Sequence, residues 1–121
     1  MPNSLKVRKK IISPKVVMFH HFHKNENKKY VKNSMNAKDF ERLIKRIGLK
    51  NILSAEDWYK NLKSNKLKKN HFCFTFDDGL KSQYDVAFPI LRKYNIKCFW
   101  FIFTSIFSND YDHNEINKYF Y

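Results

Sequence analysis

Apolar residues gather in three short runs along the chain, at positions 15–20, 71–76 and 97–103. Each run is rich in β-branched or aromatic residues and has the length of a strand, so each predicts a buried strand. The run at 71–76 is too continuous for a strand with one solvated face, and we expect both of its faces to be covered, as in a parallel sheet. Residues 21–35 lack periodicity, which predicts a loop, and residues 51–53 are compatible with a further short strand.

Helical spacing appears between these runs. Asn36 and Ser54 each stand at the start of a helical pattern with an aspartate three residues later, which is typical of a helix N-terminus. The first pattern ends at Gly48, a residue suited to a helix C-terminus, and the second is expected to reach about Ser64. The apolar positions on the helix faces are Phe40, Leu43, Ile44 and Ile47 in the first helix and Trp58 and Leu62 in the second.

A third helix is predicted before the last strand. Pro89 lies inside this pattern, and since proline removes a backbone donor, the helix either begins near Phe88 or kinks there. A strand, a helix and a strand in this order form a βαβ unit with parallel strands. The whole order predicts an α/β fold in a single domain. The apolar face of the third helix is set by Tyr84, Ala87, Phe88 and Leu91.

Composition changes this picture little. A length of 121 residues suits one domain, and 17% aromatic residues exclude a simple disordered tail. The formal net charge of +13 is compatible with binding to nucleic acid or an anionic membrane. However, lysine supplies 20 of the 24 cations, whereas base reading and bidentate phosphate contacts favour arginine. Five residue types with A/T-rich codons make up 62 of the 121 residues, so genomic base composition is the simpler interpretation of the charge, and nucleic-acid binding ranks last.

No stretch reaches the roughly 18 apolar residues of a membrane span, and the basic N-terminus lacks a small-residue cleavage site. We therefore expect a cytoplasmic protein whose residues 1–14 are flexible. Cys73 and Cys98 are expected to be free, buried thiols. His71, at the start of its strand, is expected to be structural, His113 to be a loop residue, and residues 115–121 to begin another helix.

Thr75-Phe76-Asp77-Asp78-Gly79 carries the most chemical information. It places two carboxylates at the C-terminal end of a buried strand, where α/β folds hold their active sites. Neighbouring strand residues point to opposite faces, so convergence of Asp77 and Asp78 requires a backbone turn, which Gly79 permits. One carboxylate can then bind a metal while the other takes a proton from water. The alternative is a plain Asp-Asp-Gly turn, which favours a second strand directly afterwards rather than a helical pattern.

The same segment resembles the first motif of the polysaccharide deacetylase family, also called the NodB-homology family. Residues 16–22, Val-Val-Met-Phe-His-His-Phe, are similar to the N-terminal strand motif of one branch, with Phe19 in place of tyrosine. Residues 36–41, 87–91 and 98–102 resemble that branch's helix start, helix and next strand. The resemblance covers residues 15–108.

The resemblance implies an incomplete (β/α) barrel of the glycoside hydrolase and deacetylase type, about its first half, because a complete barrel needs about 250 residues. It also implies metal-dependent hydrolysis of an acetyl group held on a sugar by nitrogen or oxygen, with an acetylated oligo- or polysaccharide as substrate. By position, Asp77 matches the general base, and Asp78 matches the carboxylate ligand of a divalent metal, usually zinc. His20 matches a histidine at the mouth of the site, although the polar end of a buried strand is an alternative interpretation.

The family's second motif, His-(Ser or Thr)-x-x-His, has no counterpart in this sequence. His113 has no histidine partner three to five residues away, and His20, His21 and His23 are divided between a predicted strand and a loop. A catalytic zinc needs three protein ligands and a water molecule, so we do not expect this chain alone to bind zinc tightly. We expect a truncated deacetylase with little or no activity of its own, which a second chain would complete. The alternatives are a non-catalytic glycan- or partner-binding remnant and, last, a basic nucleic-acid or membrane binder.

Overall fold

The computed structural model describes residues 13–24 and 32–104. These residues form a three-stranded parallel sheet in the order β1-β2-β3, which confirms the predicted α/β fold. The expectations for residues 1–12, for His113 and for a helix at 115–121 lie outside the described residues. The elements are β1 (Lys15–Phe19), α1 (Ala37–Ile47), α2 (Ala55–Lys63), β2 (Phe72–Asp77), α3 (Phe88–Lys93) and β3 (Phe99–Phe101).

Helices α1 and α2 begin where their capping residues predicted. Asn36 Oδ1 accepts the backbone N–H of Asp39 at 2.8 Å, and Ser54 Oγ accepts that of Asp57 at 3.1 Å. These bonds satisfy donors that have no partner inside the helix. Trp58 and Leu62 lie one turn apart on the same face of α2, as predicted, but only Trp58 is buried and Leu62 is 57% exposed.

The core lies on one face of the sheet, between the strands and the helices α1 and α3. Phe19 is central to it, with ring centroids 5.2 Å from Phe40 of α1 and 5.2 Å from Phe74 of β2. We call this the covered face of the sheet and define it by Phe19, Phe74 and Phe76. The helical residues buried against it are Phe40, Ile44, Val86, Ala87, Ile90 and Leu91.

Residues that alternate with these along the strands point to the opposite face, where several are much more exposed. Val16 is 53%, Met18 60% and Phe101 57% exposed, so the prediction that β1 and β3 are buried strands is wrong. Both strands are edges of the described sheet and have a strand neighbour on one side only. The central strand β2 is buried from position 73 to 76, as predicted. We call this second face the open face; by register it comprises Val16, Met18, Cys73, Thr75, Asp77, Phe99 and Phe101.

The helical segment before β3 differs in detail from the prediction. The chain is helical from Lys81, passes through a π-helical turn at Gln83–Ala87 and continues as α3, with Pro89 in the first turn of α3. A proline ring clashes with the preceding turn of a regular α-helix, and the turn that precedes Pro89 here is the wider π-helical one. Tyr84 and Phe88 lie outside the buried face, being 68% and 38% exposed.

The structure also tests the predictions for residues 51–53 and for the two cysteines. Residues 51–53 do not form a strand: after a 3₁₀ turn at Leu49–Asn51, Ile52 makes a single parallel bridge to Phe72. Cys73 and Cys98 are free thiols, as predicted, although Cys98 is only partly buried. No helix in the described part of the chain is long and apolar enough to cross a membrane.

Candidate active site

The carboxyl end of the sheet brings together the three residues that the sequence singled out. Phe19 of β1 pairs with Phe76 of β2, so the residues that follow them, His20 and Asp77, lie side by side. His20 Nε2 is 3.6 Å from Asp77 Oδ2 and 4.0 Å from Asp78 Oδ2. The sequence predicted a strand at positions 15–20. Strand β1 ends at Phe19, so His20 lies just beyond the strand.

The backbone turns at Asp78, as the convergence of the two carboxylates requires. Asp78 has a φ of 74° and Gly79 a φ of 60°, both in the left-handed region that glycine adopts freely and aspartate tolerates better than most residues. The Asp78 N–H donates to the Phe101 carbonyl oxygen at 2.9 Å, which ties the turn to β3. A plain hairpin turn is excluded, because helical residues follow and the next strand pairs parallel to β2.

The three side chains are accessible from solvent. Their exposed fractions are 42% for His20, 25% for Asp77 and 33% for Asp78. Carboxylate oxygens accept hydrogen bonds and protons. A neutral imidazole has one donor and one acceptor nitrogen, whereas a protonated imidazole has two donors. The side chains of this cluster can therefore accept a proton from a water molecule or bind a cation.

The donor set is smaller than a complete metal centre requires. His20, Asp77 and Asp78 lie close together but are not arranged as a group of three that could hold one metal ion, and the described residues contain no such group elsewhere. His23 does not extend the cluster, since its Nδ1 lies 2.6 Å from Ser34 Oγ. Asp78 can supply one carboxylate, but the described residues do not fit a tetrahedral zinc site with three protein ligands.

Gln83 is the site residue that sequence reasoning missed. It is 1% exposed, and its Nε2 donates to the carbonyl oxygens of His20, at 2.9 Å, and Asp77, at 2.6 Å. Glutamine is polar, so a pattern of apolar residues does not include it, and the predicted helix face contains Tyr84 instead. The helical spacing i, i+3, i+4, i+7, i+8 would have revealed it, since it is the first of Gln83, Val86, Ala87, Ile90 and Leu91.

Other singled-out residues lie outside this cluster. His71, at the amino end of β2, accepts the Lys68 N–H on its Nδ1 at 3.0 Å, as suits the predicted structural role. Trp58 is buried, so it is not available to a ligand. A groove of about 460 Å³ reaches His20 along β1, but neither Asp77 nor Asp78 lines it.

Comparison with known proteins adds independent evidence. The model of the family described as polysaccharide deacetylase matches residues 64–119, a range that contains Asp77, Asp78 and β3. The resemblance to polysaccharide deacetylases is confirmed. A search of curated proteins found no match.

Solved deacetylase structures have the same fold. The deacetylase PplD of Streptococcus pyogenes, in complex with acetate, is 25% identical with a TM-score of 0.61, covering 78% of this chain and 44% of that chain. IcaB of Ammonifex degensii is 20% identical with a TM-score of 0.65, covering 78% and 40%. A de-N-acetylase of Aggregatibacter actinomycetemcomitans is 23% identical with a TM-score of 0.55, covering 73% and 36%. The chain thus spans less than half of these deacetylases, consistent with a partial barrel, and the last two show likeness of fold alone.

Proposed function

We propose that this chain forms part of the active site of a carbohydrate deacetylase. Such an enzyme adds water to an acetyl carbonyl, breaks the bond from that carbon to nitrogen or oxygen, and releases acetate and the free amine or hydroxyl of the sugar. The observation that carries the proposal is the meeting of His20, Asp77 and Asp78 at the carboxyl end of a parallel sheet. Acetate in the structure of the S. pyogenes deacetylase supports the same class of reaction.

Asp77 is the proposed general base. Its carboxylate accepts a proton from the water that attacks the acetyl carbon, a role typically worth about 10² to 10⁴ in rate. His20, which faces Asp77 Oδ2 at 3.6 Å and is the more exposed of the two, holds this carboxylate or the substrate in place at the mouth of the site. Asp78, held by its turn beside Asp77, is the proposed carboxylate ligand of a divalent metal, zinc, in a complete enzyme.

Metal binding by this chain alone is proposed to be weak. A ligand set that folds around zinc contributes about 10 kcal/mol or more of binding free energy, and this requires several donors acting together. Asp78 by itself does not provide them, so we derive no catalytic step through a metal. Zinc titration of the chain against a competing chelator is expected to show no tight site, and a stoichiometric site abolished by Asp78→Asn would overturn this part of the proposal.

A second polypeptide segment is proposed to complete the site. The open face exposes Val16, Met18 and Phe101, and exposed apolar surface beside an incomplete donor set favours association. The completing chain would carry the missing His-(Ser or Thr)-x-x-His motif and cover the open face. Without it, we expect little or no release of acetate from an acetylated chitooligosaccharide.

The test measures acetate release by the chain alone and after mixing with the remaining part of a deacetylase barrel that carries this histidine motif. Activity is expected only in the mixture, and Asp77→Asn is expected to lower it about 10² to 10⁴-fold. Asp57→Asn is the matched control, because Asp57 is an exposed aspartate of α2, outside the cluster. Full activity of the Asp77→Asn mixture would refute the role of Asp77, and zinc-dependent activity of the chain alone would refute its dependence on a second chain.

A non-catalytic glycan-binding protein is the second candidate, and Trp100 is the observation that favours it. The indole stacks on Phe76 with ring centroids 4.4 Å apart while remaining 39% exposed, and exposed aromatic rings suit stacking on sugar rings. This candidate predicts glycan affinity in calorimetry that is unchanged by chelator and lost in Trp100→Ala. Loss of affinity in Asp78→Asn with Trp100 intact would contradict it.

A further inference from the structure

Gln83 joins the ends of two strands through a single side chain. It belongs to the π-helical turn that follows the Asp77–Asp78 turn, and 63 residues of chain separate it from His20. Its Nε2 donates to the carbonyl oxygens of His20 and Asp77 at 2.9 and 2.6 Å. These carbonyls belong to the two residues whose side chains face each other across 3.6 Å.

The orientation of the amide is decided by these two acceptors. A carboxamide nitrogen carries two hydrogens in one plane, so one nitrogen can serve both carbonyls at once. The opposite orientation would turn Oε1 towards two carbonyl oxygens, which repel it. Oε1 is buried and has no hydrogen-bond partner within the described part of the chain.

An unpaired buried acceptor opposes folding, whereas the two donated hydrogen bonds satisfy the carbonyl groups of His20 and Asp77. What the position requires is the donor pair. Two further backbone contacts hold the same region: the Phe22 N–H donates to Ser82 Oγ at 3.3 Å, and the Asp78 N–H donates to the Phe101 carbonyl at 2.9 Å. Gln83 is distinct among these in bonding both to the residue that follows β1 and to the last residue of β2.

We propose that Gln83 is a positioning residue that sets the separation and relative orientation of His20 and Asp77. It does not touch the reacting atoms; it acts through the backbone carbonyls of the two residues that do. The importance of this separation for catalysis rests on the proposed deacetylase function. The tests below measure geometry and need no activity, so an inactive chain leaves them valid.

The first test uses the unmodified chain and nuclear magnetic resonance. The two Nε2 protons of Gln83 are expected to exchange with solvent much more slowly than those of the side-chain amide of Asn65, which is exposed. Exchange as fast as that of Asn65 would overturn the proposal, whatever the behaviour of any variant.

The second test compares Gln83→Met with Val86→Ala. Methionine keeps the length of the side chain and removes both donors, whereas Val86 is a buried residue of the same π-helical turn whose truncation loosens packing only. In Gln83→Met, the Overhauser contact between the His20 ring protons and the Asp77 β protons is expected to be lost, and the carbonyl ¹³C resonances of both residues to move upfield. In Val86→Ala these signals are expected to persist even though the midpoint of urea denaturation falls.

A variant with a shorter side-chain amide distinguishes the effect of the hydrogen-bond donors from that of side-chain length. Gln83→Asn keeps the donors but shortens the reach, so an intermediate contact between His20 and Asp77 is expected. An Overhauser contact of native intensity in folded Gln83→Met, or its loss in Val86→Ala as well, would reduce Gln83 to a packing role. If Gln83→Met does not fold, the shorter variant and the exchange rates of the native amide decide the question.

Discussion

The two faces of the sheet are built by the same strands yet differ in what surrounds them. On the covered face, Phe74 and Phe76 have no exposed surface and lie among other aromatic rings. On the open face, Val16 and Met18 are more than half exposed, and the same face carries Asp77. The two faces thus have different roles. The covered face stabilises the fold, and the open face carries the Asp77 carboxylate.

The largest expected effect tests this division directly. Phe74→Ala on the covered face is expected to lower the free energy of unfolding by about 3–5 kcal/mol, because it removes a buried ring and leaves a cavity. Met18→Ala on the open face is expected to cost about 0.5 kcal/mol or less. Urea denaturation followed by circular dichroism measures both, with Phe74→Leu as a milder variant if Phe74→Ala does not fold. Equal losses at the two positions would remove the contrast between the faces.

A smaller effect is expected from uncapping the helix that covers the aromatic core. Asn36→Ala removes the acceptor of the Asp39 N–H and is expected to cost about 1 kcal/mol of unfolding free energy. Asn36→Asp keeps a capping oxygen and should restore most of the loss, whereas Lys38→Ala, an exposed change in the same turn, should have little effect. If the aspartate variant were as unstable as the alanine variant, capping would not be the cause.

The third effect is a pH dependence at the edge of the covered face. Hydrogen bonds from Lys93, at 2.8 Å, and from the Tyr94 hydroxyl lower the pKa of Glu41 in the folded protein, joining α1 to the end of α3. Because the folded pKa lies below the unfolded one, the contribution is present above the unfolded pKa and is lost as the pH falls through the folded pKa.

The stability difference between the native chain and Glu41→Gln should therefore shrink as the pH is lowered from about 7 to about 3. Denaturation midpoints at a series of pH values measure this. Glu56→Gln is the control, since Glu56 is an exposed residue of α2 whose Oε1 lies 3.6 Å from the Nζ of Lys60 in the same helix. A constant difference across the series would show that the Glu41 contacts do not stabilise the fold.

The smallest effect is the absence of a reaction. Burial raises the pKa of Cys73 to about 11 and that of Cys98 to about 12, so both thiols are protonated in neutral solution. Both are expected to react with a disulfide reagent only after unfolding in urea. Cys73 belongs to the open face, so its reactivity measures how far solvent penetrates there. Rapid modification of the native chain, mapped by mass spectrometry to Cys73, would show that the open face is unprotected at its centre.

Local patterns in the sequence were sufficient to predict the order of the elements, the helix caps at Asn36 and Ser54, and the turn after β2. Each depends on residues a few positions apart, and the physical causes, helical spacing and side-chain capping, act over the same distance. The pair Asp77 and Asp78 could be assigned to the carboxyl end of a parallel strand for the same reason. Burial of β1 and β3 was overestimated, because apolar character alone does not reveal which strands lie at an edge.

The sequence by itself determined which segments form strands and helices and which carboxylates stand at the end of the central strand. The resemblance assigned His20 to the mouth of the site, but only the tertiary structure decided its distances to the two carboxylates, because they depend on the register that pairs Phe19 with Phe76. Only the tertiary structure revealed Gln83 as well, since its two acceptors lie on different strands, one of them 63 residues away. Contacts between distant segments depend on register and packing, which short-range periodicity does not encode.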